Sequence, residues 1–332
     1  MTLAVSDFPA FRPAWPWIGG DLQTVRATVR EALRRPGPRI AGPPEHLRFP
    51  MGDGDVLLGA LNRPQPDADA RGRPLAVLLH GLTGCQDGAY MHATGAALLA
   101  RGYAVLRLNL RGAGPSRPLC RASYHAGRTA DLRAVLAQLP SELTGHGLVL
   151  VGYSLGGNIL LKFLGEAPVE APVRAAVSVS APIDLGVTSR RFLALRNRLY
   201  HRWLLRRMKS DALATPGIDA GTAALVAGLR TTWAFDDAYV APGNGFRNAA
   251  DYYAHSSARS YLHGIGVPTL VIHALDDPWI PGEVYSSFDW GRNPSLVPLL
   301  PRIGGHVGFH AKGGAWHDVA LLRFLDATVG AA

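Results

Sequence analysis

A serine between two glycines is the first residue of this chain that could do chemistry. Gly152-Tyr153-Ser154-Leu155-Gly156 stands between the apolar run Val149-Leu150-Val151 and a second run, Ile159-Leu160-Leu161-Lys162-Phe163-Leu164. The five-residue pattern alone is a weak signal. Its setting is stronger: a strand leads in, a helix leads out, and glycine stands where a Cβ would clash in so sharp a turn. Such a turn lifts a hydroxyl off the sheet and sets it at a helix N-terminus, where developing negative charge is favoured. That hydroxyl becomes a nucleophile for acyl transfer when a base lies within hydrogen-bond reach and a carboxylate stands behind the base. The bland alternative is a tight turn with an incidental serine.

Two later strand ends supply the partners in the order Ser, Asp, His. Val271-Ile272-His273-Ala274-Leu275-Asp276-Asp277-Pro278 runs from a strand into an acidic turn, and Pro301-Arg302-Ile303-Gly304-Gly305-His306 places a histidine on a Gly-rich loop. The chain has 12 histidines, so His306 needs reasons. His80 belongs to an earlier turn. His273 lies within a buried strand and reads as a satisfied core residue. His310 and His317 follow the strand too late. His306 and His310 are four residues apart, but no His-Glu-x-x-His pattern accompanies them, so no metal is expected. For the carboxylate, Ala274, Asp277, Ile280 and Pro281 fit a small-x-x-Asp-x-x-apolar-Pro frame. The frame favours Asp277. Asp276 is the alternative acid, otherwise a neighbouring or substrate-side carboxylate. His80-Gly81-Leu82-Thr83-Gly84 ends another strand, and the amides of Leu82 and Leu155 are the candidate oxyanion-hole donors. This chemistry needs no cofactor.

These residues must be held by elements whose pattern is also legible. Leu75–Leu79 is a short unbroken apolar run, as a strand buried on both faces requires. Helical and strand patterns then alternate: a helix over 90–101, a strand over 103–110, a helix over 126–139, a strand over 147–153, a helix over 154–165 and a strand over 173–180. The alternation resumes with strands over 267–274 and 295–300, a short helix over 282–288 and a last helix over 315–327. That order predicts a mostly parallel, doubly wound α/β sheet. Gly52-Asp53-Gly54 splits two alternating runs, 46–51 and 55–62, into a hairpin. Residues 64–74 read as a polar loop.

Composition sets limits. Of 332 residues, 48% are hydrophobic and 18% charged, a globular balance. The net charge is +9. No basic run is interleaved with base-stacking aromatics, so nucleic acid is not an expected partner. Cys85 and Cys120 form no metal or redox spacing and read as free thiols. Residues 1–17 carry no signal-peptide pattern, and no run of about 18 uninterrupted apolar residues occurs. A cytoplasmic location is the expectation.

Several motifs together resemble one family. They are Gly19-Gly20-Asp21-Leu22-Gln23-Thr24-Val25, His80-Gly81-Leu82-Thr83-Gly84, Asn109-Leu110-Arg111-Gly112-Ala113-Gly114, Gly152–Asn158, Phe235-Asp236-Asp237, Asp251-Tyr252-Tyr253, Ser256-Ser257, Asp276-Asp277-Pro278 and Gly304–Phe309. The chain resembles the YheT-like branch of the α/β-hydrolases, related to animal ABHD hydrolases and yeast ethanol acyltransferase/esterases. The resemblance covers nearly the whole chain. It implies the α/β-hydrolase fold, a triad of Ser154, Asp277 and His306, and hydrolysis of carboxylic esters, in some relatives acylglycerols or phospholipids. One departure is Gly19-Gly20-Asp21, where the family commonly has Asn-Pro-His.

The expected organisation is a wrapping segment over 1–44, a core over 45–183 and 261–332, and a helical cap over 184–260. Arg190–Lys209 reads as a basic amphipathic cap helix. Its Phe192, Leu193, Leu195, Leu199, Trp203, Leu204 and Met208 would pack on the core with arginine in water. The sharper alternative is peripheral contact with anionic lipid. The expected function is a serine esterase acting on a small-molecule, acyl or lipid-like ester. The alternatives are an acyltransferase to an alcohol on the same triad and a non-catalytic binder. Oligomeric state is not read from the sequence.

Overall fold

Apolar strands buried on both faces organise the molecule. The structure is a computed structural model and describes residues 5–34, 37–65 and 72–330. The polar loop expected over 64–74 therefore lies partly outside the described residues. Eight strands form one sheet: β1 Glu45–Pro50, β2 Val56–Asn62, β3 Leu75–Leu79, β4 Val105–Leu108, β5 Leu148–Tyr153, β6 Val173–Val179, β7 Thr269–Ile272 and β8 Leu296–Leu299. Their order across the sheet is β1-β2-β4-β3-β5-β6-β7-β8. The hairpin β1–β2 is antiparallel, β2 meets β4 antiparallel, and every pair from β4 through β8 is parallel.

The period of two in a strand divides the core into layers. In β5, Leu148 and Leu150 face one apolar cluster, while Val149, Val151 and Tyr153 face the other. Helices Thr129–Ala137 and Leu155–Glu166 cover the first face. Helices Ala89–Leu99 and Trp316–Thr328 cover the second. The strand ends carrying Leu79, Tyr153, Val179 and Ile272 thus emerge side by side, where ligands bind in open parallel sheets.

Between β6 and β7 the described residues over 184–260 are helical or turn, with no strand among them. The stretch Arg190–Lys209 is not the single helix expected. One helix ends at Leu193, a tight turn spans Leu195–Asn197, and a second helix runs Arg198–Leu213. Ala194 is extended (φ −65°, ψ 144°), which breaks the helical hydrogen-bond ladder. Asn197 holds the break, donating its side-chain amide to Arg191 O and Pro278 O. The apolar residues consequently divide. Phe192, Leu204 and Met208 enter a local core, whereas Leu193, Leu195, Leu199 and Trp203 are exposed.

The N-terminal segment also differs from a plain wrap. It contains a helix, Gly20–Ala32, whose fully buried residue is polar: Gln23.

Candidate active site

Ser154 sits where β5 turns into the helix Leu155–Glu166, with φ 49° and ψ −121°. A side-chain residue at positive φ is strained, and the surroundings fix it. A Cβ on Gly156 would lie 2.4 Å from His80 O, and one on Gly152 would lie 2.6 Å from Gly156 O. Only glycine lets the turn pass so close to the neighbouring strand.

Ser154 Oγ is 2.9 Å from His306 Nε2, and His306 Nδ1 is 2.8 Å from Asp277 Oδ2. Asp277 Oδ1 accepts the backbone N–H groups of Trp279 (2.8 Å) and Ile280 (3.1 Å). Burial alone would raise the Asp277 pKa. The neighbouring His306, through charge and hydrogen bond, outweighs it and holds the carboxyl below its ordinary range. Asp276 does not touch the imidazole. Its Oδ1 accepts Gly305 N–H at 2.9 Å, so it shapes the loop that carries His306. His310 points elsewhere: its Nδ1 lies 3.0 Å from Arg26 Nη1, while His306 Nε2 faces Ser154.

The loop after β3 abuts Ser154. A Cβ on Gly81 would stand 3.0 Å from Ser154 Cβ. Gly81 N–H donates to Tyr90 Oη (2.9 Å) and Thr83 N–H donates to Tyr124 Oη (2.6 Å). Between them the Leu82 amide has no acceptor among the described residues. Leu155 opens its helix, so its amide has no intrahelical acceptor either. Thr83 stands at φ 56° and is clamped from the cap: Arg207 donates to Thr83 Oγ1 (3.1 Å) and Thr83 O (3.0 Å). Burial pushes the Tyr90 phenol up to about 12, so it stays neutral. His80, lowered to about 4 by burial, has Nδ1 2.8 Å from Gly81 O and accepts Leu110 N–H on Nε2.

Four features around the site were not evident from spacing. Trp279 stacks on the His306 ring, centroids 4.3 Å apart. Thr24 Oγ1 accepts His306 N–H at 2.8 Å, so the N-terminal helix supports the histidine loop. Arg207 bridges the helix Arg198–Leu213 and the loop after β3. Asp236, partly buried, accepts the Tyr253 hydroxyl at 2.5 Å, and loss of solvation raises it to about 7. The Phe235-Asp236-Asp237 and Asp251-Tyr252-Tyr253 motifs were the only signals of that pair.

One expectation fails in detail. His273 is core, but neither ring nitrogen has a hydrogen-bond partner among the described residues. Its ring stacks on Tyr285 (3.8 Å, 6°), and burial lowers its pKa to about 4. Its Nδ1 lies 4.0 Å from Asp277 Oδ2, beyond hydrogen-bond reach.

A cavity of about 1180 Å³ opens onto Ser154 and His306. Leu185, Phe192, Leu204, Met208 and Val240 give it an apolar wall, and Asp236 and Tyr253 a polar spot.

Residues 74–310 match a family model described as the alpha/beta hydrolase fold. The YheT protein of Escherichia coli is 34% identical over 80% of this chain and 78% of its own length. The monoacylglycerol lipase of Saccharomyces cerevisiae is 30% identical over 76% of this chain, and mouse phospholipase ABHD3 is 28% identical over 73%. The chain spans 59% of the length of each of the latter two. An esterase of Pyrococcus furiosus superposes with a TM-score of 0.60 at 18% identity, covering 89% of this chain and 98% of its own. Among the described residues no helix is long and apolar enough to cross a membrane.

Proposed function

The chain belongs to the α/β-hydrolase family, in its YheT-like branch, and from that premise we propose that it is a serine hydrolase of carboxylic esters working through an acyl-enzyme. The observation that carries the reading is the relay Asp277 Oδ2–His306 Nδ1 (2.8 Å) and His306 Nε2–Ser154 Oγ (2.9 Å), beside the amides of Leu82 and Leu155.

In this mechanism Ser154 Oγ attacks the ester carbonyl carbon while His306 Nε2 takes its proton. Asp277 keeps the Nδ1–H tautomer and stabilises the imidazolium. The carbonyl oxygen becomes an oxyanion and accepts the Leu82 and Leu155 N–H groups. Collapse breaks the bond to the alcohol oxygen, which leaves with the proton from His306. Water, deprotonated by His306, then releases the acid and restores Ser154.

The apolar wall favours acyl or lipid-like esters over compact polar ones, a direction shared by the relatives named as monoacylglycerol lipase and phospholipase. A yeast relative is named medium-chain fatty acid ethyl ester synthase/esterase, so transfer to an alcohol on the same residues is the second reading. Product analysis in water and in added ethanol separates the two. The test of the first is Ser154→Ala: turnover of p-nitrophenyl acyl esters and fluorophosphonate labelling should both vanish with the fold intact. Retained turnover would remove Ser154 from the reaction.

A further inference from the structure

The break in the cap leaves a row of apolar side chains facing outward. Leu195, Leu199 and Trp203 follow one another at intervals of four residues and are 88%, 80% and 42% exposed. Single exposed leucines are ordinary. A row of them is not, and this one has neighbours. Asp21 of the N-terminal helix accepts Arg196 Nη2 and Tyr200 Oη, each at 3.0 Å. That tie joins the N-terminal helix to this segment, and Ile18 and Leu22, 56% and 45% exposed, stand within three residues of Asp21.

Charge defines what the surface fits. Residues 185–210 include no Asp or Glu. Arg198, Arg202 and Arg206 lie exposed on the same helix, and none pairs with a carboxylate among the described residues. Apolar side chains edged by unpaired arginine match the boundary between acyl chains and anionic headgroups, where arginine stems lie along the apolar layer and the guanidinium reaches phosphate. A second copy fits poorly. A two-fold contact through this face would set the arginine row against itself. The position is also telling. Trp203 is partly exposed and also lines the cavity, and Leu204 and Met208 of the same helix line it from within.

We propose that the outer face of the cap, Leu195–Arg206 with Ile18 and Leu22, docks on an anionic lipid bilayer and sets the cavity mouth at the lipid surface. The docking rests on the proposed esterase reading only for its purpose. Binding itself is measured without turnover, so the two can fail separately.

The experiment is co-sedimentation of the full chain with phosphatidylcholine vesicles, with and without phosphatidylserine. The wild type should partition at least about tenfold better onto the anionic vesicles, and high salt should abolish the difference. Replacing Arg198, Arg202 and Arg206 together by Gln should weaken binding about a hundredfold, roughly fivefold for each charge. Leu195→Glu with Leu199→Glu should weaken it at least about tenfold. Both variants should hydrolyse a dissolved short-chain ester within about twofold of wild type, and Ser154→Ala should still sediment. Wild-type binding that ignores phosphatidylserine, or variants that bind as wild type does, would overturn the proposal. So would a wild-type dimer in sedimentation velocity that Leu195→Glu with Leu199→Glu splits, since the face would then be a self-contact.

Discussion

The carboxylate of Asp277 offers a sharp test, because the structure dictates what an amide would do in its place. Asp277 Oδ1 is fixed by two backbone donors, Trp279 N–H and Ile280 N–H, and Oδ2 receives His306 Nδ1–H. In Asp277→Asn the amide oxygen keeps the two backbone donors, since its NH2 cannot accept them. The NH2 therefore faces His306 Nδ1. The ring must then accept at Nδ1 and carry its proton on Nε2, the nitrogen that faces Ser154 Oγ. A base already protonated cannot take the serine proton. The expected loss in kcat is about 10⁴, or roughly 5.4 kcal/mol of transition-state stabilisation, with the fold and KM nearly unchanged. Asp276→Asn is the matched control. Its oxygen can still accept Gly305 N–H, so kcat should stay within about fivefold. Steady-state hydrolysis of p-nitrophenyl butyrate by both variants, with circular dichroism to verify folding, measures the contrast. A loss under about tenfold in Asp277→Asn, or an equal loss in both, would refute the tautomer argument.

Three other outcomes are expected. Arg207→Gln removes the hold of the helix Arg198–Leu213 on Thr83, leaving the Tyr124 and Tyr90 hydroxyls to position the loop after β3. The expected kcat is about tenfold lower with little change in KM, less than the full loss of one oxyanion donor; an unchanged kcat on a dissolved ester would show that the clamp is idle. Gly156→Ala should cost about 3 kcal/mol or more in urea denaturation, because its Cβ meets His80 O at 2.4 Å and Leu79 O at 2.6 Å, whereas Gly228→Ala, with open space around it, should be neutral or stabilising. Asp318 is raised to about 7 by burial against an ordinary 3.8. Its neutral form is the one the fold prefers, so its contribution is complete below about pH 4 and is lost as pH rises through about 7. Asp318→Asn should therefore gain stability relative to wild type by roughly 2 kcal/mol between about pH 5 and pH 8, read from paired urea midpoints; a constant difference would contradict it.

What the sequence revealed follows from how local each signal is. Strands β3, β5 and β6 announce themselves because burial on both faces demands unbroken apolar runs. Ser154, Asp277 and His306 stand at strand ends or just beyond them, so chain order and turn glycines were enough to single them out. The break at Ala194–Asn197 was not legible. A periodic apolar pattern continues through it, and what ends the helix is Asn197 bonding to Pro278 O, 81 residues away. The N-terminal helix carries Leu22, Val25 and Val29 at helical spacing, yet none of these is its fully buried residue. Its buried anchor is Gln23, whose partners are Trp17 O and both backbone groups of His310. Trp279 fills an unspecified position of the frame from Ala274 to Pro281, and nothing in its neighbours signals that it lies over His306. Contacts made across the whole chain by polar groups leave no period to find.

The hydrogen bond from His306 N–H to Thr24 joins residues 282 positions apart. A ribosome adding about 5–20 residues per second makes Thr24 roughly a quarter of a minute to a minute before it makes His306. Throughout that interval the N-terminal helix has neither its histidine loop nor the Asp276 turn that Gly20 abuts. Ser154 is likewise in place well before its base arrives. The proposed catalytic set thus cannot be complete before His306 has emerged, and a chain that stops short of His306 carries Ser154 without the imidazole that would activate it.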